Sequence, residues 1–244
     1  MTLKTTTIAG TLRLHELEGP EALAEAVAQA FFDAALSGVR ARGRASLVVT
    51  GGTTPQAYYP RLAALELPWS QLSLTLSDER WVPPTDAGSN EGLVRRLLLQ
   101  GRAAQAVLVP LYEAGATPAE SAPIVAARVR ALPHPFDLVL LGLGADSHVA
   151  SMFPGGQGTD AALDLASDAV CHPIVPPANI PPGPPRMTLG LAELLASRRI
   201  VIAARGADKR EAFVKAATGG WHLPSPVHGL ALHAKQPVDF YWCG

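Results

Sequence analysis

The sequence predicts an α/β fold: an open, mostly parallel sheet with helices on both faces. Three observations lead there. Short apolar runs recur at residues 45–49, 136–143 and 199–204, and each reads as a strand covered on both faces, as parallel sheets require. Between these runs the apolar spacing switches to a helical period, so strands and helices alternate along the chain. The third is size: 244 residues, 48% hydrophobic and 17% charged, suit one domain over residues 1–244. Such a chain buries roughly 70–75% of its unfolded surface without a disulfide or metal staple.

Taken in order, residues 7–14 read as a first strand. Gly19-Pro20-Glu21 opens a helix, with proline in the first turn and an acid at the positive end of the dipole. Leu23, Val27, Phe31 and Ala34 share one face of that helix, and Gly38 supplies a stop. The strand 45–49 runs into Thr50-Gly51-Gly52-Thr53-Thr54-Pro55, and Pro55 leads a second helix. A strand at 72–76 ends at Ser77-Asp78-Glu79-Arg80. Ser89 can cap a helix carrying Leu93, Val94, Leu97 and Leu98. A short strand at 107–109 and an alanine-rich helix at 118–131 precede the strand 136–143. Beyond it, 199–204 is a strand, about 208–217 a helix, and 229–233 and 239–242 read as two last strands. Residues 176–185 hold six prolines and read as a semi-rigid connector inside one domain.

A formal charge of −1 leaves no basic field for nucleic acid and no polybasic patch for anionic lipid, so neither partner is expected. Two cysteines, Cys171 and Cys243, make no disulfide framework and show no CxxC spacing. His222, His228 and His233 lack ligand spacing, so no metal is expected. Residues 1–20 carry no apolar core of a signal peptide, and no run approaches the ~20 apolar residues of a membrane span. The expected location is cytoplasmic.

In parallel sheets, ligands bind at the carboxyl ends of the strands. Three loops there carry chemistry. Gly51 and Gly52 let the backbone approach an anion, while Thr53, Thr54 and a helix N-terminus supply donors. The loop lacks GxxxxGK[ST] and GxGxxG, so a small phosphate fits better than a nucleotide. Asp78, Glu79 and Arg80 sit where a buried strand emerges. Gly142-Leu143-Gly144-Ala145-Asp146-Ser147-His148 follows another, and a histidine there can act as general base near neutral pH, because its ordinary pKa is ~6.5. Arg186 and Lys209 suit an anionic substrate. Ser147 has no GxSxG elbow to make it a nucleophile.

These motifs together resemble the 6-phosphogluconolactonases of the glucosamine-6-phosphate isomerase/6-phosphogluconolactonase family. The resemblance rests on Gly51-Gly52-Thr53-Thr54-Pro55 and on Asp78-Glu79-Arg80-Trp81-Val82-Pro83 with Asp86 and Ser89-Asn90. It continues through Leu141-Gly142-Leu143-Gly144-Ala145-Asp146-Ser147-His148, Ala150-Ser151-Met152-Phe153-Pro154, Arg186-Met187-Thr188 and Lys209, in the family's order. Two positions depart: Ser147 stands where the family usually has glycine, and Thr53 where it usually has serine.

The resemblance implies a Rossmann-like fold similar to the glucosamine-6-phosphate deaminases. It implies hydrolysis of 6-phosphoglucono-1,5-lactone in the oxidative pentose phosphate pathway, with no cofactor. His148 would activate water, helped by Asp146 or Asp78, while Gly51, Gly52, Thr53, Thr54, Arg80, Asn90, Arg186 and Lys209 would bind substrate. Oligomeric state is open, and a monomer fits. Two alternatives stand beside it. A glucosamine-6-phosphate deaminase would carry glutamate where Phe153 stands. A sugar-phosphate sensor would need a helix-turn-helix segment, which the first ~40 residues do not supply.

Overall fold

The computed structural model describes residues 2–180 and 183–244. Among these, eight strands form one sheet and three form a second. The large sheet contains β1 (Thr2–Ala9), β2 (Leu12–Leu17), β3 (Ala45–Val49), β4 (Leu72–Leu76), β6 (Val107–Val109), β7 (Leu138–Leu141), β10 (Ile200–Arg205) and β11 (Val238–Cys243). The small one contains β5 (Asp78–Arg80), β8 (Cys171–Ile174) and β9 (Arg186–Leu189).

The large sheet runs β1-β2-β11-β10-β7-β3-β4-β6. Every neighbouring pair is parallel except β1 with β2. All five residues of β3 are buried, as are all four of β7 and the first five of β10. That is the burial their unbroken apolar sequence demands. From β3 the chain works outward to β4 and β6, then returns to β7 on β3's other side. Order therefore reverses between β3 and β7, and a cleft opens there at the carboxyl edge.

The helices are α1 (Pro20–Arg42), α2 (Thr53–Ala63), α3 (Asn90–Leu97), α4 (Pro118–Arg130), α5 (Thr159–Leu163), α6 (Leu191–Leu195), α7 (Ala207–Ala217) and α8 (Pro226–His233). Ser89 caps α3 as expected, accepting from the Gly92 N–H at 3.0 Å.

Several elements differ from the sequence reading. Residues 7–14 are not one strand but the turn of the β1–β2 hairpin, with Gly10 at φ +52°. α1 does not stop at Gly38. That residue is buried within the helix, where a Cβ would lie 2.6 Å from the Asp137 carboxylate. Gly43 ends the helix instead, in the left-handed conformation at φ 72°. The run 136–143 is broken by Asp137, whose buried carboxylate accepts from Arg42 and from the Ser46 N–H. Residues 229–233 are helical, as part of α8. α1 also reaches spanning length and a mean hydropathy of 1.2, contrary to the expectation that no segment does. Its apolar face is spent on the sheet, with Leu23, Val27 and Phe31 buried in the core.

The small sheet was not anticipated as a sheet. It is antiparallel, β5-β9-β8, and grows from the carboxyl edge of β4. The Ser77 N–H donates to Val49 O at 2.7 Å, and Ser77 O accepts from the Leu189 N–H at 2.9 Å. Residues 176–185 join β8 to β9; Pro181 and Pro182 lie outside the described residues.

Candidate active site

A cleft of about 230 Å³ lies at the switch between β3 and β7. Its walls include Gly51, Gly52, Thr53, Thr54, Asp78, Arg80, Asn90, His148, Arg186 and Lys209. Ten of the eleven candidate residues thus meet in one place, and Asp146 stands directly behind His148.

One wall is the loop from β3 to α2. Gly52 has φ 99°, a conformation that costs glycine little and other residues more. At Gly51 the need is space, because a Cβ would lie 1.7 Å from the Asn90 Oδ1. The first turn of α2 begins at Thr53 and presents its free N–H groups to the cleft, as an anion site does.

The opposite wall is the loop after β7. The His148 Nδ1 lies 2.5 Å from the Asp146 Oδ1, and the same oxygen accepts from the His148 backbone N–H at 3.3 Å. Burial alone would raise the Asp146 carboxyl. The hydrogen bond and charge of His148 and two backbone N–H groups outweigh burial and hold it below its ordinary value. With Nδ1 engaged, the lone pair of Nε2 is left for chemistry. The imidazole rests against Phe153, ring centres 4.4 Å apart. It also lies close over Gly144, where a Cβ would fall 2.0 Å from Nδ1.

Asp78 is not bonded to His148. Its Oδ1 accepts from the Ser77 hydroxyl at 2.9 Å and its Oδ2 from the Ser151 hydroxyl at 2.6 Å. The partner of the ring, left open between two aspartates, is Asp146 by this geometry.

Arg80 and Arg186 are direct register partners across β5 and β9. Two like charges opposite one another in an antiparallel pair repel. Burial, then Arg80, lower the Arg186 guanidinium below its ordinary range, against Asp78 and Glu79. Among the described residues the buried Arg186 Nε has no hydrogen-bond partner. Arg80 Nη1 donates to Gly88 O at 2.6 Å. Lys209 adds a third cation from the first turn of α7. The mutual repulsion of such a cluster is relieved by a bound anion.

The sequence reading named Glu79 in this loop but gave it no role. It is fully buried, and its carboxylate accepts from the N–H groups of Arg80, Asn90 and Glu91, each at 2.7 Å, and from the Ser89 hydroxyl at 3.1 Å. Burial pushes this acid up to about 7, although the three backbone donors oppose it. Glu79 thereby fixes the start of α3 and with it Asn90, whose Nδ2 donates to Asp78 O at 2.9 Å. An acid ending a buried strand shortly before a capped helix was the available signal. Ser151 was likewise visible only as a motif member, whereas Phe153 already stood as the position that argues against a deaminase. Among the described residues no three His, Cys, Asp or Glu side chains converge to hold a metal.

The model of the family described as glucosamine-6-phosphate isomerases/6-phosphogluconolactonase matches residues 18–242. The chain belongs to this family. A relative named 6-phosphogluconolactonase, from Caulobacter vibrioides, is 44% identical over 95% of this chain and 97% of its own. The crystal structure of a 6-phosphogluconolactonase from Shewanella baltica superposes with a TM-score of 0.89 at 33% identity, covering 98% of this chain and 100% of that one. A monomeric glucosamine-6-phosphate deaminase shares the fold at a TM-score of 0.75 and 19% identity, covering 94% of this chain and 96% of its own. Within a family that spans both chemistries, the side chains at this cleft must separate them.

Proposed function

We propose that this protein hydrolyses 6-phospho-D-glucono-1,5-lactone to 6-phospho-D-gluconate in the oxidative pentose phosphate pathway, acting as a single domain. The observation that carries the reading is the Asp146–His148 pair facing a cluster of three cations across one small cleft. The relatives of this chain bear the lactonase name over nearly their whole length.

The phosphate sits among Arg186, Lys209, Arg80 and the hydroxyls of Thr53 and Thr54, at the N-terminus of α2. His148 Nε2 takes a proton from water as its oxygen bonds to C1 of the lactone. The carbonyl becomes an oxyanion, stabilised by nearby N–H donors. Collapse of the tetrahedral intermediate breaks the bond between C1 and the ring oxygen. The imidazolium returns its proton to that oxygen, leaving the open-chain acid. A lactone is an activated ester, so general-base catalysis suffices without a covalent intermediate. Asp146 stabilises the imidazolium, and Asp78, held by two hydroxyls, is a fixed acceptor for sugar hydroxyls. Phe153 argues against the deaminase reading, because it puts an apolar ring where that chemistry would place an acid. The doubly charged substrate phosphate confines the reaction to the compartment that makes it, which we take to be the cytoplasm.

The test is the loss of freshly generated lactone near pH 7 against a no-enzyme blank, with the wild-type chain and His148→Ala. Acceleration that falls by ~10²–10⁴ in the variant supports the base. Acceleration that survives discards His148, and none over the blank discards the reaction.

A further inference from the structure

Ser147 separates the two members of the Asp146–His148 pair and is itself in a conformation that few residues other than glycine adopt. Its φ is 67°, and it is fully buried. The turn around it is closed twice. The Ser147 N–H donates to Gly144 O at 3.1 Å, and the Gly144 N–H donates to His148 O at 2.9 Å. Any rotation at Ser147 therefore moves the carboxylate and the ring relative to each other.

The Ser147 hydroxyl lies 3.0 Å from the hydroxyl of Ser225, 78 residues away in sequence, and both are buried. Ser225 occupies the N-cap position of α8, where a serine normally accepts from the helix's own backbone. Here it makes no such bond. The hydroxyl that would cap α8 is directed at the strained turn instead.

We propose that Ser225 and Ser147 form a latch that holds the left-handed turn and so keeps Asp146 in register with His148. Both are positioning residues, since neither lines the cleft. The proposal rests on the reading of His148 as base. Charged groups sharing the ring's surroundings are Asp146, Asp78, Arg80, Arg186 and Lys209; none touches either serine hydroxyl.

The physical logic gives a signature that a general stabilising role would not. Ser225→Ala leaves the Ser147 hydroxyl buried without a partner, beside a backbone that serine tolerates poorly. In the double variant Ser225→Ala with Ser147→Gly, the orphan hydroxyl is gone and glycine adopts φ near 67° without strain. The phosphate cradle is untouched in both.

The experiment compares wild type, Ser225→Ala and the double variant for kcat and KM on the lactone. It also follows the downfield proton resonance of the His148 Nδ1–Asp146 hydrogen bond by NMR on the full chain. Ser225→Ala is expected to lower kcat about tenfold with KM within about twofold, and to broaden or move that resonance. The double variant is expected to recover most of kcat and the resonance. An unchanged resonance in Ser225→Ala overturns the latch, and so does a loss that the glycine does not restore, which would belong to α8. If the wild-type chain lacks lactonase activity, the function reading fails, while the resonance still decides the latch.

Discussion

In an Arg186→Met variant the guanidinium opposite Arg80 is gone, and its effects on binding and on folding run apart. In the bound state a charge-assisted hydrogen bond to a phosphate oxygen contributes about 1.5–3 kcal/mol. At about 1.4 kcal/mol per factor of ten, its loss raises KM by roughly 10- to 100-fold. kcat should change little, because Arg186 is placed on the phosphate and not on the reacting carbon. In the ligand-free state Arg186 repels its register partner Arg80, and its Nε is buried with no acceptor among the described residues. Those costs offset its attraction to Asp78 and Glu79. Ligand-free stability should therefore move by less than about 1 kcal/mol, or roughly 2–4 °C in a chain of this size. The assay pairs steady-state kinetics on fresh lactone with thermal unfolding, each with and without 6-phosphogluconate. A normal KM together with a ligand-free Tm lowered by 8 °C or so would refute the anion argument and make Arg186 a structural residue.

Three further outcomes follow from the geometry. Asp146→Asn keeps the size of the ring's partner but removes its charge, so kcat should fall by at least about tenfold with KM nearly unchanged; an equal loss in Asp78→Asn through kcat alone would reverse the assignment. Gly144→Ala drives a Cβ into the imidazole at 2.0 Å, and should abolish most turnover while circular dichroism stays native. Glu79 supplies a pH dependence. Its folded pKa of about 7 lies above the ordinary 4.5, so between those values the folded state binds more protons than the unfolded one. Stability should then decline as pH rises from about 4.5 to about 7, by up to about 3 kcal/mol from this group. In urea titrations across that range, Glu79→Gln should be less stable throughout and should lack this slope. A variant with the wild-type slope would show that Glu79 is not its source.

The parallel strands β3, β4 and β6 were legible to the residue: β3 as a fully buried run, β4 from leucines alternating with Ser73 and Thr75, and β6 as a β-branched Val-Leu-Val at the sheet's edge. The loops carrying the site were legible because each follows one of the recognisable parallel strands. What escaped depends on distant partners. The strands of the small sheet are three or four residues long, too short for alternation to register, and the pairing of β5 with β9 joins segments about a hundred residues apart. Gly38 looked like a helix stop because sequence cannot show that Asp137 and Ala45 press against it. The stretch 229–233 was read as strand because a short apolar run fits either period. The choice between Asp78 and Asp146 turned on side-chain direction. Only the fold reveals that Ser77 and Ser151 engage the first while His148 engages the second.

The order of strands at the far side of the large sheet places the two ends of the chain beside each other. β2 lies between β1 and β11, with Thr2 opposite Leu17 on one flank and Trp242 opposite Glu16 on the other. Thr2 and Cys243 are thus two strand spacings apart, roughly 10 Å, at the same edge of the sheet as the cleft. A bridge of about four or five residues would span that gap without distorting either strand. The chain could then be closed into a ring and reopened at a surface turn on the opposite edge of the sheet from the site, such as the one at Gly43 between α1 and β3. In that rearranged protein β2 would be made directly after both of its neighbours, β11 and β1, and not long before β11, while every residue around His148 kept its place.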